Sequence, residues 1–184
     1  MTATPVERRL VLVRHAKSVP KDAAPDFDRA LAERGRHEAP RAGEWLAGSG
    51  YPLGLALCSS ALRTRETWQL MASRLSEPPP VIYDDRLYNA SADELMAVLG
   101  ETDDSVTDLL VVGHNPGIHD LAVALCGAGG KGGRSAGDKD EKGLRRRIRE
   151  GFPTAAVVVV ALTGQWRELA PEAGRPAAFW APRD

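Results

Sequence analysis

The chain has 184 residues, a formal net charge of −1 and a calculated pI of about 6.4, which suits one domain with a sizeable core and argues against nucleic acid or a membrane surface as a partner. Its two cysteines form no disulfide framework and lack metal-ligand spacing, as expected in a reducing cytoplasm. The N-terminus has no apolar segment of signal-peptide length, and no run approaches the length of a membrane helix, so we expect a cytoplasmic protein.

The first predicted element is a strand over 10–13, an apolar and largely β-branched run that ends on Arg14 and His15. Residues 1–7 precede the strand as a loose tail. The chain then alternates between helices predicted over 32–49, 61–75, 91–99 and 116–126 and strands predicted over 53–58, 81–83 and 108–113. This alternation is typical of proteins with helices packed on a parallel sheet.

Two of these helices carry further local signals. Pro40 lies inside the first predicted helix, where it requires a kink or a later helix start. Ser91 precedes the third predicted helix and Glu94 follows three residues later, a pair that predicts a capping box.

The last third of the chain changes in composition. Residues 127–142 are rich in glycine and charge and predict a flexible loop, and 144–150 (LRRRIRE) predict a short basic helix. The apolar run 154–162 and the run 165–169, joined at Gly164, predict a β-hairpin. We therefore expect a single α/β domain over 1–184, with a mostly parallel mixed sheet and an antiparallel edge.

Three predicted strands end on side chains that suit the binding of an anion. The first ends on Arg14 and His15, the second is followed by a Ser-Ser turn and Arg63, and a later one by His114 and Asn115. Parallel strands deliver their last residues to a common crevice, so the arginines and histidines should meet there. No carboxylate close to them in sequence neutralises their charge, and a phosphate dianion matches both the arginine fork and the helix N-termini.

The same cluster suggests a chemistry. Its positive charge disfavours a metal ion, and nearby arginines should lower a histidine's pKa and keep its imidazole neutral. A neutral imidazole can attack phosphorus, while the other histidine and both arginines stabilise the charge on the phosphoryl oxygens. We choose His15 as the nucleophile because Arg14 is its neighbour and a short turn holds it.

Motifs in five places resemble the histidine phosphatase superfamily, which has the phosphoglycerate-mutase-like fold, and within it the SixA-type phosphohistidine phosphatases. In chain order they are RHAKS, DFDRALAERG, CSSALRTRET, VVGHNPG and FPTAAVVVVAL, between about residues 8 and 169. The resemblance implies a three-layer α/β/α sandwich and a metal-independent reaction without a cofactor. It also implies a catalytic pocket in which His15 is phosphorylated during turnover; its members are Arg14, His15, Arg63 and His114.

Further site residues are predicted around this pocket. We add Ser18, Arg29 and Asn115 as contacts to phosphate or substrate. The glutamate that serves as general acid in mutase-like members has no clear counterpart, and Asp85 is our choice among the acidic residues in that interval. A phosphorylated imidazole leaves more easily than an alkoxide and needs less acid catalysis. The favoured substrate is therefore phosphohistidine on a protein, with inorganic phosphate as product.

Several alternatives stay open. A small phosphate monoester could be the substrate, or the scaffold could be a phospho-ligand binding module without activity. Cys58 and Arg63 resemble a cysteine phosphatase loop, but four residues separate them where that loop has five, which favours a structural Cys58. The basic helix predicted over 144–150 is either a solvated surface or a patch that binds nucleic acid or an acidic protein, and the acidic stretch 138–141 and Glu150 nearby favour the solvated surface.

Overall fold

The computed structural model describes residues 6–127 and 138–183. Within these residues one mixed sheet contains the strands β1 (Glu7–Arg14), β2 (Leu55–Ser59), β3 (Val81–Asp84), β4 (Asp108–Gly113), β5 (Val157–Thr163) and β6 (Gly174–Trp180). Their order across the sheet is β3-β2-β4-β1-β5-β6. β3, β2, β4 and β1 run parallel, while β5 is antiparallel to both β1 and β6.

Helices cover both faces of this sheet. They are α1 (Glu33–Ser49), α2 (Leu62–Ala72), α3 (Ala92–Gly100), α4 (Gly117–Cys126) and α5 (Asp138–Glu150), with 3₁₀ turns at Asp26–Asp28, Asp85–Leu87 and Trp166–Glu168. One core packs α1 and α2 against the sheet, and a second packs α3, α4 and α5 on its other face. This arrangement confirms the predicted α/β/α sandwich. Of the helices described, none is long and apolar enough to cross a membrane.

The two cores explain the apolar runs in the sequence. Successive side chains of a strand point to opposite faces, so a strand between two helical layers needs apolar residues at every position. In β1, Leu10 and Leu12 enter the core under α3 and α4, whereas Val11 and Val13 enter the core under α1 and α2. The whole of β4 is buried in the same way.

Strand register brings three strand ends together. Arg14, the last residue of β1, pairs with Gly113, the last of β4. Cys58 in β2 pairs with Val112, so Ser59 lies at the same edge. We call this edge, marked by Arg14, Ser59 and Gly113, the carboxyl edge of the sheet.

The predicted hairpin is wrong in its second strand. Residues 166–168 form a 3₁₀ turn, in which the buried indole of Trp166 donates a hydrogen bond of 2.7 Å to the carbonyl of Val106. β5 pairs instead with β6, a segment that the sequence pattern left unassigned. Burial of one tryptophan, together with a capping box around this turn, outweighs the short apolar pattern.

The predicted flexible loop over 127–142 also needs correction. α5 begins at Asp138, so the last part of that stretch is helical, and residues 128–137 lie outside the described residues. An ion pair between Arg145 and Glu141 and the buried side chain of Ile148 support a longer helix than the one predicted over 144–150.

The other boundaries differ less. β1 begins at Glu7, inside the predicted tail, of which residues 1–5 lie outside the described residues. α1 begins at Glu33 and runs through Pro40, so the proline does not delay the helix. The capping box of α3 is confirmed, with Ser91 and Glu94 each accepting a hydrogen bond from the other's backbone N–H.

A close helix contact gives a test of the first layer. At Gly43 in α1 a Cβ would lie 2.4 Å from the carbonyl oxygen of Met71 in α2, whereas at Gly48 nothing lies within 4 Å. We expect Gly43→Ala to lower the free energy of unfolding by about 1–3 kcal/mol through overpacking. Gly48→Ala, the matched control, should raise it by up to about 1 kcal/mol because alanine favours helices. Urea denaturation measures both, and equal effects would contradict the packing described here.

Candidate active site

The carboxyl edge brings two distant histidines face to face. The ring centroids of His15 and His114 are 5.3 Å apart. Only 8% of His15 and 4% of His114 are exposed. They follow β1 and β4 directly, and the parallel pairing of these strands sets their separation.

The hydrogen bonds of His15 define which ring nitrogen is free. Nδ1 lies 2.8 Å from the carbonyl oxygen of Ala16. Because a carbonyl only accepts, Nδ1 carries the proton and Nε2 of the neutral ring keeps a lone pair. The backbone N–H of Ala16 donates to the hydroxyl of Thr67 in α2 at 2.9 Å, which fixes the turn that holds the ring.

His114 is held by a different set of neighbours. Its Nε2 lies 2.8 Å from the hydroxyl of Ser59 at the end of β2. The ring of Tyr88 packs edge-on against it, with centroids 5.4 Å apart. Ser59 and Tyr88 therefore orient the second histidine, and the sequence interpretation assigned neither of them a role at the site.

The two predicted arginines also lie at this edge. Arg63, in the first turn of α2, is 2% exposed, and Arg14 donates through Nη1 to the carbonyl of Phe152 at 3.0 Å. Three buried nitrogens find no hydrogen-bond partner among the described residues: Arg14 Nε, Arg63 Nε and His114 Nδ1. Buried donors without partners are costly, so this cluster of unpaired nitrogens suits an acceptor-rich anion.

A carboxylate that the sequence interpretation missed sits beside these arginines. Asp26 accepts a hydrogen bond from Arg63 Nη2 at 3.1 Å and from Arg29 Nε at 3.0 Å. Tyr88 donates its hydroxyl proton to the same carboxylate. The expectation that no carboxylate close in sequence neutralises Arg63 is correct, because Asp26 lies 37 residues before it in the chain. In the folded protein, however, Asp26 neutralises part of this charge.

These contacts keep Asp26 ionised. The hydrogen bond from Tyr88, with those of Arg29 and Arg63, holds the pKa of the Asp26 carboxyl well below its usual value. The same hydrogen bond raises the pKa of the Tyr88 hydroxyl. Asp26 is thus a fixed negative charge at the rim of the pocket and has no proton to donate at neutral pH.

Both histidines are neutral at physiological pH. Burial, followed by the charges of Arg63 and Arg14, lowers the pKa of His15 to about 3. Burial, followed by the neighbouring His15 and Arg63, lowers the pKa of His114 to about 3. The direction agrees with the sequence-based expectation, but loss of hydration contributes more than the arginines do.

The remaining predicted residues occupy different positions. Arg29 donates through Nη1 to Ser18 Oγ at 2.9 Å and to the carbonyl of Val19 at 2.8 Å. Arg29 therefore holds Asp26 in place, and Ser18 holds Arg29. Asn115 donates to the carbonyl of Phe152 at 3.0 Å, the same oxygen that Arg14 contacts, and its Oδ1 is buried without a partner among the described residues. Asp85 is exposed and begins the 3₁₀ turn that leads to Tyr88.

The thiol alternative lacks support in the geometry. Cys58 lies in β2 with no exposed surface, inside the core beneath α1 and α2. Burial raises the pKa of its thiol far above neutrality, so no thiolate is available to attack phosphorus.

The missed Asp26 did leave a signal in the sequence. Asp26 and Arg29 are the first and last residues of the DFDR run, which belongs to one of the five motifs. An acidic residue three positions before an arginine in a loop is compatible with a local ion pair, which these two form. The further contact from Asp26 to Arg63 depends on how the 3₁₀ turn at Asp26–Asp28 packs on α2.

The chain is similar in sequence and fold to known proteins. Residues 10–127 match the profile of the histidine phosphatase superfamily (branch 1), and the chain belongs to this superfamily. Within it the chain is of the SixA type, as its structural similarities indicate. A candidate phosphohistidine phosphatase SixA from Nakamurella multipartitia superposes with a TM-score of 0.79 at 32% identity, over 97% of this chain and 99% of the other. A second one, from Agrobacterium tumefaciens, gives 0.74 at 29% identity, over 95% and 98%.

Sequence relatives extend over the same length. An uncharacterized protein of Mycobacterium leprae is 37% identical over 175 residues, and one of Mycobacterium tuberculosis is 34% identical over 171. Each match covers 93% of this chain and the whole of the relative. The predicted superfamily, its SixA type and its fold are thereby confirmed.

The neutral histidines predict a pH dependence of stability. Their pKa values in the folded protein, near 3, lie below the usual 6.5. Between pH 3 and 6.5 the unfolded chain therefore binds more protons than the folded protein does. The free energy of unfolding should therefore fall as the pH drops from 6.5 towards 3. In His15→Asn we expect this slope to decrease by about 1 kcal/mol per pH unit.

Urea denaturation in phosphate-free buffer, between about pH 4 and 7, measures this slope. His37→Asn removes an exposed histidine of α1 and should keep the wild-type slope. An unchanged slope in His15→Asn would contradict a His15 that burial keeps neutral.

Proposed function

We infer that the chain is a metal-independent phosphatase that works through a covalent phosphohistidine and acts on phosphohistidine carried by a protein. One observation carries this proposal. Neutral His15 keeps a lone pair on Nε2, and it lies beside buried nitrogens of Arg14, Arg63 and His114 that lack partners among the described residues. A phosphoryl group supplies both the electrophile for the lone pair and the acceptors for those nitrogens.

In the first step His15 Nε2 attacks phosphorus in line. A P–Nε2 bond forms, and the bond to the leaving group breaks with its electron pair moving to that group. Arg14 and Arg63 stabilise the charge on the phosphoryl oxygens. Ser59 can donate to Nε2 of His114, in which case the proton of that ring is on Nδ1 and supplies another donor without a partner among the described residues.

In the second step water attacks the phosphorus of phosphorylated His15. The P–N bond breaks, its electron pair returns to the ring, and inorganic phosphate leaves. Neutral His15 is restored because burial and the arginines again disfavour its protonation. The cycle requires no group beyond water and the side chains at the carboxyl edge.

The preference for phosphohistidine follows from the ionised state of Asp26. An alkoxide leaving group needs a proton, and general acid catalysis typically gives a factor of roughly 100 to 10,000 in rate. Asp26, the carboxylate that contacts Arg63 and Arg29, is ionised and cannot supply that proton. A phosphoimidazole whose second ring nitrogen carries a proton releases neutral imidazole and needs no acid from the enzyme, so a P–N bond is the better match. Similarity to proteins named as SixA candidates supports the same choice.

We also propose the cytoplasm as the location. Cys58 and Cys126 are both free thiols. Cytosolic proteins keep their thiols reduced, whereas secreted ones use them in disulfides.

The proposal is tested with histidine-phosphorylated protein and with small phosphate esters, all in the presence of a chelator. We expect the wild type to hydrolyse phosphohistidine, and rapid denaturation at alkaline pH, where a P–N bond survives, to trap phosphate on the enzyme. His15→Ala should lose both turnover and trapped phosphate, a decrease of at least about 1,000-fold, because it removes the nucleophile. Cys58→Ser, as control, should retain turnover.

Other outcomes separate the alternatives. Sugar or glycerol phosphates that react much faster than phosphohistidine would indicate a small-molecule phosphatase. Phosphate binding without any turnover would indicate a binding module. Turnover retained in His15→Ala would reject the covalent mechanism.

Asp26 provides a separate electrostatic prediction. Asp26→Asn keeps the size of the side chain but removes a negative charge beside two arginines. We expect inorganic phosphate to inhibit this variant about fivefold more strongly, since one partly exposed charge contributes roughly 1 kcal/mol. Inhibition constants measured at one ionic strength test this. Asp28→Asn, on the same turn and exposed, should match the wild type.

A further inference from the structure

A basic surface lies beside the proposed active site. Two neighbouring hollows, of about 370 and 400 Å³, share Arg41 and Arg183 in their linings. The second hollow also contains Arg147, whose guanidinium lies 4.5 Å from the ring centroid of Phe179. We call the exposed trio of Arg41, Arg147 and Arg183 the arginine surface.

Its positive charge is not cancelled locally. None of the three arginines forms an ion pair with a carboxylate in the part of the chain that the structure describes; Arg41 contacts the backbone carbonyl of Arg183. Glu38, the carboxylate in these linings, is 4% exposed and pairs with Arg34. In a chain of net charge −1, this is a local concentration of unpaired cations.

Strand topology places the arginine surface at the carboxyl edge. Trp180, at the end of β6, pairs with Val157, which pairs with Val13 next to Arg14. Two strand spacings, about 10 Å, therefore separate the end of β6 from the end of β1. The arginine surface is also linked to Arg14 through packing. Arg147 lies over the ring of Phe179, Phe179 packs on the ring of Phe152, and the carbonyl of Phe152 accepts a hydrogen bond from Arg14.

The distance of about 10 Å between the ends of β6 and β1 is short compared with the width of a protein interface. A stable complex buries about 800 Å² on each partner. A protein that presents a phosphorylated histidine to His15 would therefore also cover the arginine surface. A small phosphate ester would occupy the pocket alone and leave these arginines in solvent.

We propose that the arginine surface docks an acidic face of the phosphohistidine-bearing protein, next to the modified histidine. The proposal rests on the function proposed above and specifies its substrate class. Unpaired arginines around an aromatic ring attract carboxylates and speed the encounter, while the pocket performs the chemistry. A protein is favoured over nucleic acid because the chain as a whole is slightly acidic.

The test compares two substrates that share one chemistry. The first is a small acidic protein phosphorylated with phosphoramidate on one exposed histidine, and the second is free phosphohistidine. The test variant combines Arg41→Gln, Arg147→Gln and Arg183→Gln. The control combines Arg74→Gln, Arg167→Gln and Arg175→Gln, which are exposed and lie towards the opposite edge of the sheet.

For the acidic phosphoprotein we expect kcat/KM of the test variant to fall at least about tenfold, mainly through KM, with a weaker dependence on salt. Its kcat/KM for free phosphohistidine should stay within about twofold of the wild type. The control variant should behave as the wild type on both substrates.

The opposite results are distinguishable. If the wild type hydrolyses both substrates and the test variant retains full activity on the phosphoprotein, the docking surface is rejected and the proposed function stands. If the wild type hydrolyses neither substrate, both proposals fail. A duplex oligonucleotide that inhibits the wild type more strongly than the unphosphorylated acidic protein does, through the same arginines, would replace the protein partner with nucleic acid.

Discussion

Burial of two neutral imidazoles beside two guanidiniums is the constraint on which the rest of the site depends. Four side chains that can all carry positive charge meet at one sheet edge because β1, β4 and β2 run parallel and in register. They can stay together only if the histidines do not ionise, and loss of hydration ensures this more than the arginines do. Neutrality leaves His15 Nε2 with a lone pair, so the condition that lets the cluster fold also suits His15 to its proposed role as nucleophile.

Asp26 also affects the charge balance between the arginines and the histidines. It neutralises part of the charge of Arg63 and Arg29 without entering the buried core, and the hydroxyl of Tyr88 helps to hold it. Because these contacts keep the carboxylate ionised, they remove it as a source of protons. The proposed substrate follows from this charge state: a bond to imidazole tolerates the lack of an acid better than a bond to an alkoxide.

The antiparallel side of the sheet extends the site outward. β5 starts and β6 ends at the carboxyl edge, which brings the last residues of the described chain next to the pocket. Phe152 links the two regions, since its carbonyl fixes Arg14 and Asn115 while its ring packs on Phe179. The proposed chemistry and the proposed docking thus share one edge of the molecule, with neutral histidines at its centre and exposed arginines at its side.

The sequence alone determined the elements whose signals are local. Apolar runs that end on Arg14 and His114 predict buried parallel strands, the Ser91–Glu94 pair predicts a helix start, and the order of five motifs predicts the superfamily. Tertiary structure decided the rest: the 3₁₀ turn at Trp166–Glu168, the pairing of β6, and the contact from Asp26 to Arg63. The physical reason is distance along the chain. Periodicity and capping record what a residue does with its near neighbours, whereas burial of His15 and the charge balance around it arise only when distant segments pack together.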